Sequence, residues 1–303
     1  MRALEFQLCD VFTERALTGN ALAVFTDASE LSESSMQALA REMNLSESAF
    51  VLPPVASSAD ARIRIFTPTM ELPFAGHPTL GAAFVLSSST DAQATIRLET
   101  ARGIIAVRLT RSSSGSRFGW MTQPIPLRQP FAAADELLTA LGARKFGLPV
   151  ELYDNGPQYV LVELATPAEV ASLQPDMSRL AAFGSLAFVV FARKPAGWKV
   201  RVFAPGEGIP EDPATGAAAG PLAIHLSRHR YIAFGDEIVI EQGTEIARPS
   251  TLHARASGNA DRLELVEVGG NGVLVARGAF DHSILTRALQ HDARRARAQQ
   301  IAD

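Results

Sequence analysis

Two short segments of the chain could carry acid–base chemistry, and each runs into a stretch of small residues. ELPFAGHP at 71–78 precedes TLGAAFVL, and EDPATG at 211–216 precedes AAAGPLAIHL. Such stretches after a proline-containing turn predict helix starts, where free N–H groups and the helix dipole favour a carboxylate or a phosphate. Gly76 would let the backbone approach a ligand, with the titratable His77 beside it. The pattern predicts an anion-binding site with acid–base groups.

The titratable candidates are His77, Asp212 and, in the segment NLSESAFVL, Glu47. His77 could instead be a structural residue that is hydrogen-bonded at a helix start. Asp212 could be a plain N-cap, since aspartate is among the preferred caps. Glu47 lies between a predicted helix and a predicted strand, where exposed polar residues are common. Residue type and position alone leave these alternatives open.

Other site chemistries find little support in the sequence. His225 and His229 have the i, i+4 spacing of a metal pair, but the glutamate of HExxH is missing and no third ligand is evident, so no metal is expected. Since GxSxG, GxxxxGK[ST] and a strand-linked GxGxxG are absent, a cofactor-free site is expected. Cys9 is the single cysteine, so no internal disulfide is possible. We expect its side chain to pack in the core.

Composition narrows the possible partners of the 303-residue chain. The net charge of −4 and the pI near 5.9 predict no nucleic-acid binding. Glu5 and Asp10 interrupt any secretory apolar segment, and the longest apolar run, LAFVVFA at 186–192, is far shorter than the roughly 18 residues of a membrane span. We therefore expect a soluble, cytoplasmic protein that does not bind membranes.

The chain contains an internal repeat. RIRIFTPTMELP at 62–73 aligns without a gap with KVRVFAPGEGIP at 199–210, so that Arg64 and Pro68 lie over Arg201 and Pro205. The repeat predicts two similar halves of about 140 residues each.

Each half contains apolar strands followed by a helix of very small residues, GHPTLGAAFVL or TGAAAGPLAIHL. We predict an α+β fold of two pseudo-symmetric domains, each a mostly antiparallel sheet rolled around a central helix. The predicted domains are 1–125, joined by the C-terminal segment 280–303, and 126–279. The tail from Ser283 predicts a polar terminal helix. Pseudo-twofold symmetry would bring both helix starts to one cleft between the domains.

At these residues the chain resembles the PhzF family of phenazine biosynthesis over roughly residues 4–282. The resemblance rests on REMNLSES, RIRIFTP, ELPFAGHP, QPIP, NGP, EDPATG, AGPLAIHL, ARPS and GNGV. It implies a diaminopimelate epimerase-like fold, a homodimer, and an isomerisation without cofactor. The implied substrate is a small carboxylic acid, trans-2,3-dihydro-3-hydroxyanthranilate, which becomes an aminoketone that dimerises towards phenazine.

The resemblance also implies roles for individual residues. Glu47 would take a proton from ring C3 and return it at C1, while His77 and Asp212 would hold the substrate amine and hydroxyl and set the protonation of Glu47. The substrate-binding residues implied around the two helix starts are Asn20, Ser46, Gly76, Thr215, Gly216 and Ala217. Ala217 departs from the family pattern, since the phenazine enzyme has a serine there, and any proton relay through that hydroxyl is therefore in question.

Three other functions compete with this reading. An amino-acid racemase of the same fold needs two opposed thiols, and neither helix start contains cysteine. An isomerase of the family could act on another cyclic or amino-acid-derived acid. A non-catalytic binding protein could have kept the fold, although the joint presence of Glu47, His77 and Asp212 speaks against it.

Overall fold

The computed structural model describes residues 3–87, 93–111, 116–144 and 147–281. The predicted polar helix from Ser283, and the segment 280–303 apart from its first two residues, lie outside the described residues. The elements up to residue 122 are β1 (Leu4–Val11), β2 (Asn20–Phe25), α1 (Glu33–Met43), β3 (Glu47–Leu52), β4 (Ala61–Phe66), β5 (Glu71–Leu72), α2 (Gly76–Leu86), β6 (Gln93–Thr100), β7 (Gly103–Arg111) and β8 (Arg117–Thr122).

The later elements complete an α+β chain whose described strands form one continuous hydrogen-bonded sheet. They are β9 (Leu127–Pro130), α3 (Ala134–Leu141), β10 (Glu151–Asp154), β11 (Gln158–Glu163), α4 (Pro167–Ser172), α5 (Met177–Ala181), β12 (Leu186–Lys194), β13 (Gly197–Ala204), β14 (Ile209–Asp212), α6 (Gly216–Arg228), β15 (Glu237–Gln242), β16 (Ser250–Gly258) and β17 (Leu263–Phe280). A 3₁₀ turn, Pro205–Glu207, precedes β14.

The helix predicted before Glu47 and the two predicted helices of small residues are confirmed. Helix α1 begins after Ser32, whose hydroxyl accepts a hydrogen bond from the backbone N–H of Ser35, as an N-cap does. Helices α2 and α6 cover the two small-residue stretches. Residues 76–84 of α2 and 216–227 of α6 are all buried. A helix without a polar face is stable only when it is surrounded, and strands pack around both of these helices.

Strand pairing is mixed around both helices. Near α2, β2 runs parallel to β3, β3 antiparallel to β4, and β4 parallel to β6. Near α6, β11 runs parallel to β12, β12 antiparallel to β13, and β13 parallel to β15. The long strand β17 pairs with β16 through its first part and with β1 through its last part. It therefore ties the end of the described chain to the beginning.

A hydrophobic core encloses both central helices, and two smaller clusters lie under α3–α5 and under α1. Cys9 is buried within β1, as predicted, and burial raises the pKa of its thiol to about 12, so it remains protonated. Among the described residues, no helix is both long enough and apolar enough to cross a membrane.

Because α2 is buried, shortening a leucine of this helix should destabilise the protein far more than shortening an exposed leucine. Leu80 of α2 is fully buried, whereas Leu127 of β9 is 77% exposed. Leu80→Ala should lower the free energy of unfolding by about 2–5 kcal/mol, because it removes buried surface and leaves a cavity. The matched control Leu127→Ala should change it by less than about 0.5 kcal/mol. Urea unfolding measures both, and equal effects would contradict the central position of α2.

Candidate active site

A cleft at the starts of α2 and α6 brings together most of the residues predicted from the sequence. Its lining includes Glu47, Gly76, His77, Asp212, Thr215, Gly216 and Ala217. Asn20 and Ser46 do not line the cleft, and both hydrogen-bond to the carboxyl group of Asp212 behind it. Segments far apart in sequence therefore converge on one small volume, as the two-helix prediction requires.

The first turns of α2 and α6 are in direct backbone contact. A β-carbon built on Gly76 would lie 2.4 Å from the amide nitrogen of Ala217 and 2.6 Å from the carbonyl carbon of Gly216. Only glycine permits this approach at position 76. Both N-caps, Ala75 and Thr215, lack a side-chain capping bond. Backbone N–H groups of both first turns thus remain at the cleft, where an anionic group would be stabilised.

Asp212 is the last residue of β14 and does not cap α6, so the N-cap alternative is wrong. Its carboxyl group accepts hydrogen bonds from Asn20 Nδ2 at 2.8 Å and from Thr215 Oγ1 at 2.6 Å. Gln242 holds this arrangement from behind, because its amide donates to the backbone oxygen of Asp212 and to Thr215 Oγ1. Burial raises the pKa of Asp212, and these hydrogen bonds oppose the rise.

His77, in the first turn of α2, is 2% exposed. Burial lowers the pKa of its imidazole to about 3, so the ring is neutral near pH 7. Asn20 Nδ2 lies 3.2 Å from His77 Nδ1 and also donates to Asp212 and to the backbone oxygen of Ala214. A hydrogen bond with the backbone of Ala21 partly offsets the effect of burial on the pKa of the ring. The Nε2 atom of His77 has no partner among the described residues.

Glu47 is the first residue of β3, where pairing with β2 places it beside Leu22. Its side chain is buried, and Oε2 lies 3.5 Å from His77 Nδ1 without a hydrogen-bond partner in the described part of the chain. Burial raises the pKa of Glu47 well above its ordinary value, and the charges of Asp212 and Glu207 add to the rise. A carboxyl group that holds its proton this firmly is a strong base once it is ionised.

The structure adds residues that sequence reasoning missed. Glu207 and Tyr159 line the cleft, and Gln242 supports Asp212 from the end of β15. Glu207 lies in the repeat segment directly before EDPATG, yet nothing in its local sequence distinguishes it from a solvated turn residue. Tyr159 and Gln242 belong to strands whose apolar pattern predicts only sheet. No sequence signal would have found these two residues without the tertiary fold.

Two amides hold the first turn of α6 in place. Gln123 Nε2 donates to the backbone oxygen of Gly216, and Asn155 Nδ2 donates to that of Ala217, both at 2.9 Å. Gln123 belongs to QPIP and Asn155 to NGP, two segments of the family resemblance. Their role in this structure is to orient the helix start at the cleft.

The cleft is nearly closed. Its free volume of about 30 Å³ holds about two water molecules. A six-membered ring with three polar substituents is several times larger. A ligand of that size therefore requires the elements around the cleft to move apart before it binds.

The histidine pair of α6 lies away from the cleft, beside Glu151. His225 Nδ1 and His229 Nε2 are 3.0 and 3.4 Å from Glu151 Oε2, so a third ligand-type residue, which the sequence did not reveal, is present. Tyr153 and Arg128 also bind this carboxylate. Burial would raise the pKa of Glu151, but the hydrogen bonds of His225 and Tyr153 and the charge of Arg128 lower it to about 2. His225 Nε2 has no hydrogen-bond partner among the described residues.

Comparison with known proteins assigns the chain to a family. The sequence model of the family described as "Phenazine biosynthesis-like protein" (PhzC-PhzF) matches residues 9–278. The chain belongs to this family. A trans-2,3-dihydro-3-hydroxyanthranilate isomerase of Pseudomonas chlororaphis is 49% identical, over 91% of this chain and 98% of the relative. The resemblance found in the sequence is therefore confirmed.

Solved structures agree on the fold. A structure of a "predicted epimerase" from Pseudomonas aeruginosa superposes with a TM-score of 0.77 at 33% identity, covering 92% of this chain and 99% of that one. A hydroxyproline epimerase of Agrobacterium vitis gives a TM-score of 0.61 at 14% identity, covering 91% and 92%. The predicted α+β fold of the diaminopimelate epimerase type is confirmed at this level.

Glu207 makes the stability of the protein depend on pH in a defined direction. Burial, and then the charge of Asp212, raise the pKa of Glu207 from 4.5 to about 7. The folded state therefore binds this proton more tightly than the unfolded state does. The stabilisation is fully present below pH 4.5 and is lost as the pH rises through about 7.

Glu207→Gln removes this titration. The free energy of unfolding of the variant relative to the parent should rise between pH 4.5 and pH 8 by at most about 3 kcal/mol. Chemical unfolding across this range measures the difference. Glu264→Gln, at an exposed glutamate that does not line the cleft, is the matched control. A flat difference for Glu207→Gln would contradict the burial of its carboxyl group.

Proposed function

We propose that the protein is a cofactor-independent isomerase that converts trans-2,3-dihydro-3-hydroxyanthranilate to the aminoketone from which phenazines are built. The observation that carries the proposal is Glu47, a buried carboxyl group with a raised pKa and an unpartnered oxygen at the cleft. The 49% identity to an isomerase of this name supports the choice of substrate.

Glu47 performs the proton shift. Its carboxylate takes the proton from C3, and the electron pair of that C–H bond becomes the C3=C4 double bond. The C4=C5 double bond moves to C5=C6, and the electrons of C6=C1 form the new C1–H bond with the proton that Glu47 returns. The resulting enol relaxes to the ketone. One group removes and delivers the same proton, so the reaction is balanced without a metal or a redox partner.

The other proposed site residues hold the substrate in register with Glu47. The substrate carboxylate binds at the N–H groups of the two helix starts, around Gly76, Gly216 and Ala217. Neutral His77 binds the substrate through its Nε2, which is unpartnered in the described part of the chain, and Asp212 accepts from the amine or hydroxyl. Hydrogen bonds from Asn20, Thr215 and Ser46 support this role by fixing the Asp212 carboxyl group.

Ala217 removes one hydroxyl from this arrangement. With alanine at that position, protons reach the cleft only through groups such as Glu47, His77 and Asp212. This favours direct return of the proton by Glu47 over a relay. It is also the specific feature that favours a second candidate, an isomerase of the family that acts on another small cyclic amino acid.

We further propose that the chain consists of two pseudo-symmetric halves, 1–125 with the C-terminal segment 280–303, and 126–279, which open and close around the site. The repeated pairing of strands described above supports this proposal. So does a repeated arginine–phenylalanine contact: Arg64 lies 5.2 Å from the Phe66 ring centre, and Arg201 lies 4.8 Å from that of Phe203. Each arginine also pairs with a glutamate, Glu71 or Glu211, although these two glutamates are not equivalent in the repeat.

Glu47→Gln should strongly reduce turnover while leaving the fold intact. We expect the rate to fall by about 10²–10⁴-fold, because glutamine cannot accept the C3 proton. NMR of the ring protons in D₂O follows consumption of trans-2,3-dihydro-3-hydroxyanthranilate, and deuterium at C1 reports exchange at Glu47 before the proton returns. The exposed control Glu264→Gln should match the parent.

Two results would contradict the proposal in different ways. Equal turnover by Glu47→Gln and the parent would remove Glu47 from the mechanism. Intact substrate with both proteins would leave family membership standing and overturn the substrate, and Ala217→Ser would then test whether the missing hydroxyl accounts for it.

The pH profile of kcat/KM provides an independent prediction. Activity should fall as the pH drops through the pKa of Glu47, since only its carboxylate accepts the proton, and the midpoint should lie above 4.5. The charge of Glu207 raises the pKa of Glu47, so Glu207→Gln should shift this acid limb to lower pH. An acid limb at an ordinary glutamate pKa would contradict the assignment of the base.

A further inference from the structure

Hydrogen bonds of the backbone hold Glu207 at the cleft. It ends the 3₁₀ turn, which closes through a hydrogen bond from the N–H of Gly208 to the oxygen of Pro205, with Gly208 at φ +82°. Its own backbone oxygen accepts from Thr69 Oγ1 at 3.0 Å, across from the other repeat segment. The backbone of Glu207 is therefore held by both repeat segments.

The carboxyl group of Glu207 lines the cleft without a hydrogen-bonding partner. The residue is 8% exposed, and none of the described residues donates to its carboxyl oxygens. Two fully buried polar atoms at the same cleft, Glu47 Oε2 and His77 Nε2, also lack partners within the described part of the chain. Unpaired polar groups cost free energy when buried, and two of them beside the unpaired Glu207 carboxyl group indicate a polar ligand.

The charge of the cleft indicates the nature of that ligand. Its lining contains three carboxyl groups, those of Glu47, Glu207 and Asp212, and no lysine or arginine among the described residues. His77 faces the cleft from α2 in its neutral form, and Tyr159 faces it from β11. A purely anionic ligand would meet uncompensated negative charge. A ligand that also carries a cation would relieve it.

Asp212 and Glu207 differ in what they can offer this cation. The carboxyl oxygens of Asp212 already accept from Asn20 and Thr215, whereas those of Glu207 are free to bind a new donor. Burial and Asp212 leave Glu207 with a pKa of about 7, so an approaching cation would readily ionise it near neutral pH. Glu207 is the acid at the cleft that is best placed to respond to a charged ligand.

We infer that Glu207 binds the ammonium group of the substrate and makes the cleft select small zwitterionic amino acids over acids that lack the amine. This inference rests on the proposed function, because it assigns a further contact to the same substrate. The helix starts hold the carboxylate of the zwitterion, and Glu207 provides the counter-charge. Glu207 is thus a specificity-determining residue, while Glu47 moves the proton.

The test compares two ligands that differ only in the amine, cis-2-aminocyclohexanecarboxylate and cyclohexanecarboxylate. Isothermal titration calorimetry measures the affinity of each for the parent, Glu207→Gln and the exposed control Glu264→Gln. We expect the parent and the control to prefer the amino acid. Glu207→Gln should reduce this preference by about tenfold through loss of the amine ligand alone, since a charged hydrogen bond is removed. Glu207→Asp keeps the charge and should retain part of the preference.

Proton release separates recognition from a merely structural role. At pH 7, titration in buffers of different ionisation enthalpy should show that the amino acid displaces about half a proton more from the parent than from Glu207→Gln. Affinity of the parent for the amino acid should also rise as the pH increases through about 7. A parent that shows no preference, or fails to bind the amino acid, overturns the inference, as does an unchanged preference in Glu207→Gln.

Turnover of trans-2,3-dihydro-3-hydroxyanthranilate, measured on the same samples, keeps the two proposals apart. A preference that depends on Glu207 without turnover supports the inference and overturns the proposed substrate. Turnover with a preference that is independent of Glu207 overturns the inference and leaves the proposed function standing.

Discussion

The close contact between the starts of α2 and α6 is the constraint on which the site depends. A glycine at position 76 lets backbone meet backbone, with no side chain between the two first turns. Both sets of free N–H groups therefore point into one cleft, and the strands that precede the helices deliver their polar residues to it. Any side chain at position 76 would push the helices apart and separate the groups that must act together.

Burial then sets the chemistry of those groups. Removed from water, the carboxyl groups of Glu47, Asp212 and Glu207 have raised pKa values, while the imidazole of His77 has a lowered one. All four shifts favour the neutral forms, because a low dielectric penalises charge of either sign. The cleft thus makes Glu47 a stronger base and keeps the imidazole of His77 neutral. A zwitterionic ligand would bring the charges that this environment lacks.

Hydrogen bonding divides the acids of the cleft into two kinds. Asp212 is fixed by Asn20 and Thr215, with Gln242 behind them, so it can hold a ligand in a defined orientation. Glu47 and Glu207 have no such partners among the described residues and are free to gain and lose protons. Ala217, at the start of α6, brings no hydroxyl group to the cleft. In the proposed mechanism, proton transfer therefore depends on Glu47.

The sequence by itself determined the local elements and the family. The repeat, the small-residue helices and the polar residues beside them predicted α1, α2, α6 and the meeting of two helix starts, because these depend on composition and spacing along the chain. Only the tertiary structure revealed that Asp212 ends a strand instead of capping a helix. It also revealed that Glu207, Tyr159 and Gln242 reach the cleft, and that Glu151 joins the histidines of α6. Those facts depend on strand pairing between segments many residues apart, and no local pattern records which buried groups will share a volume from which water is excluded.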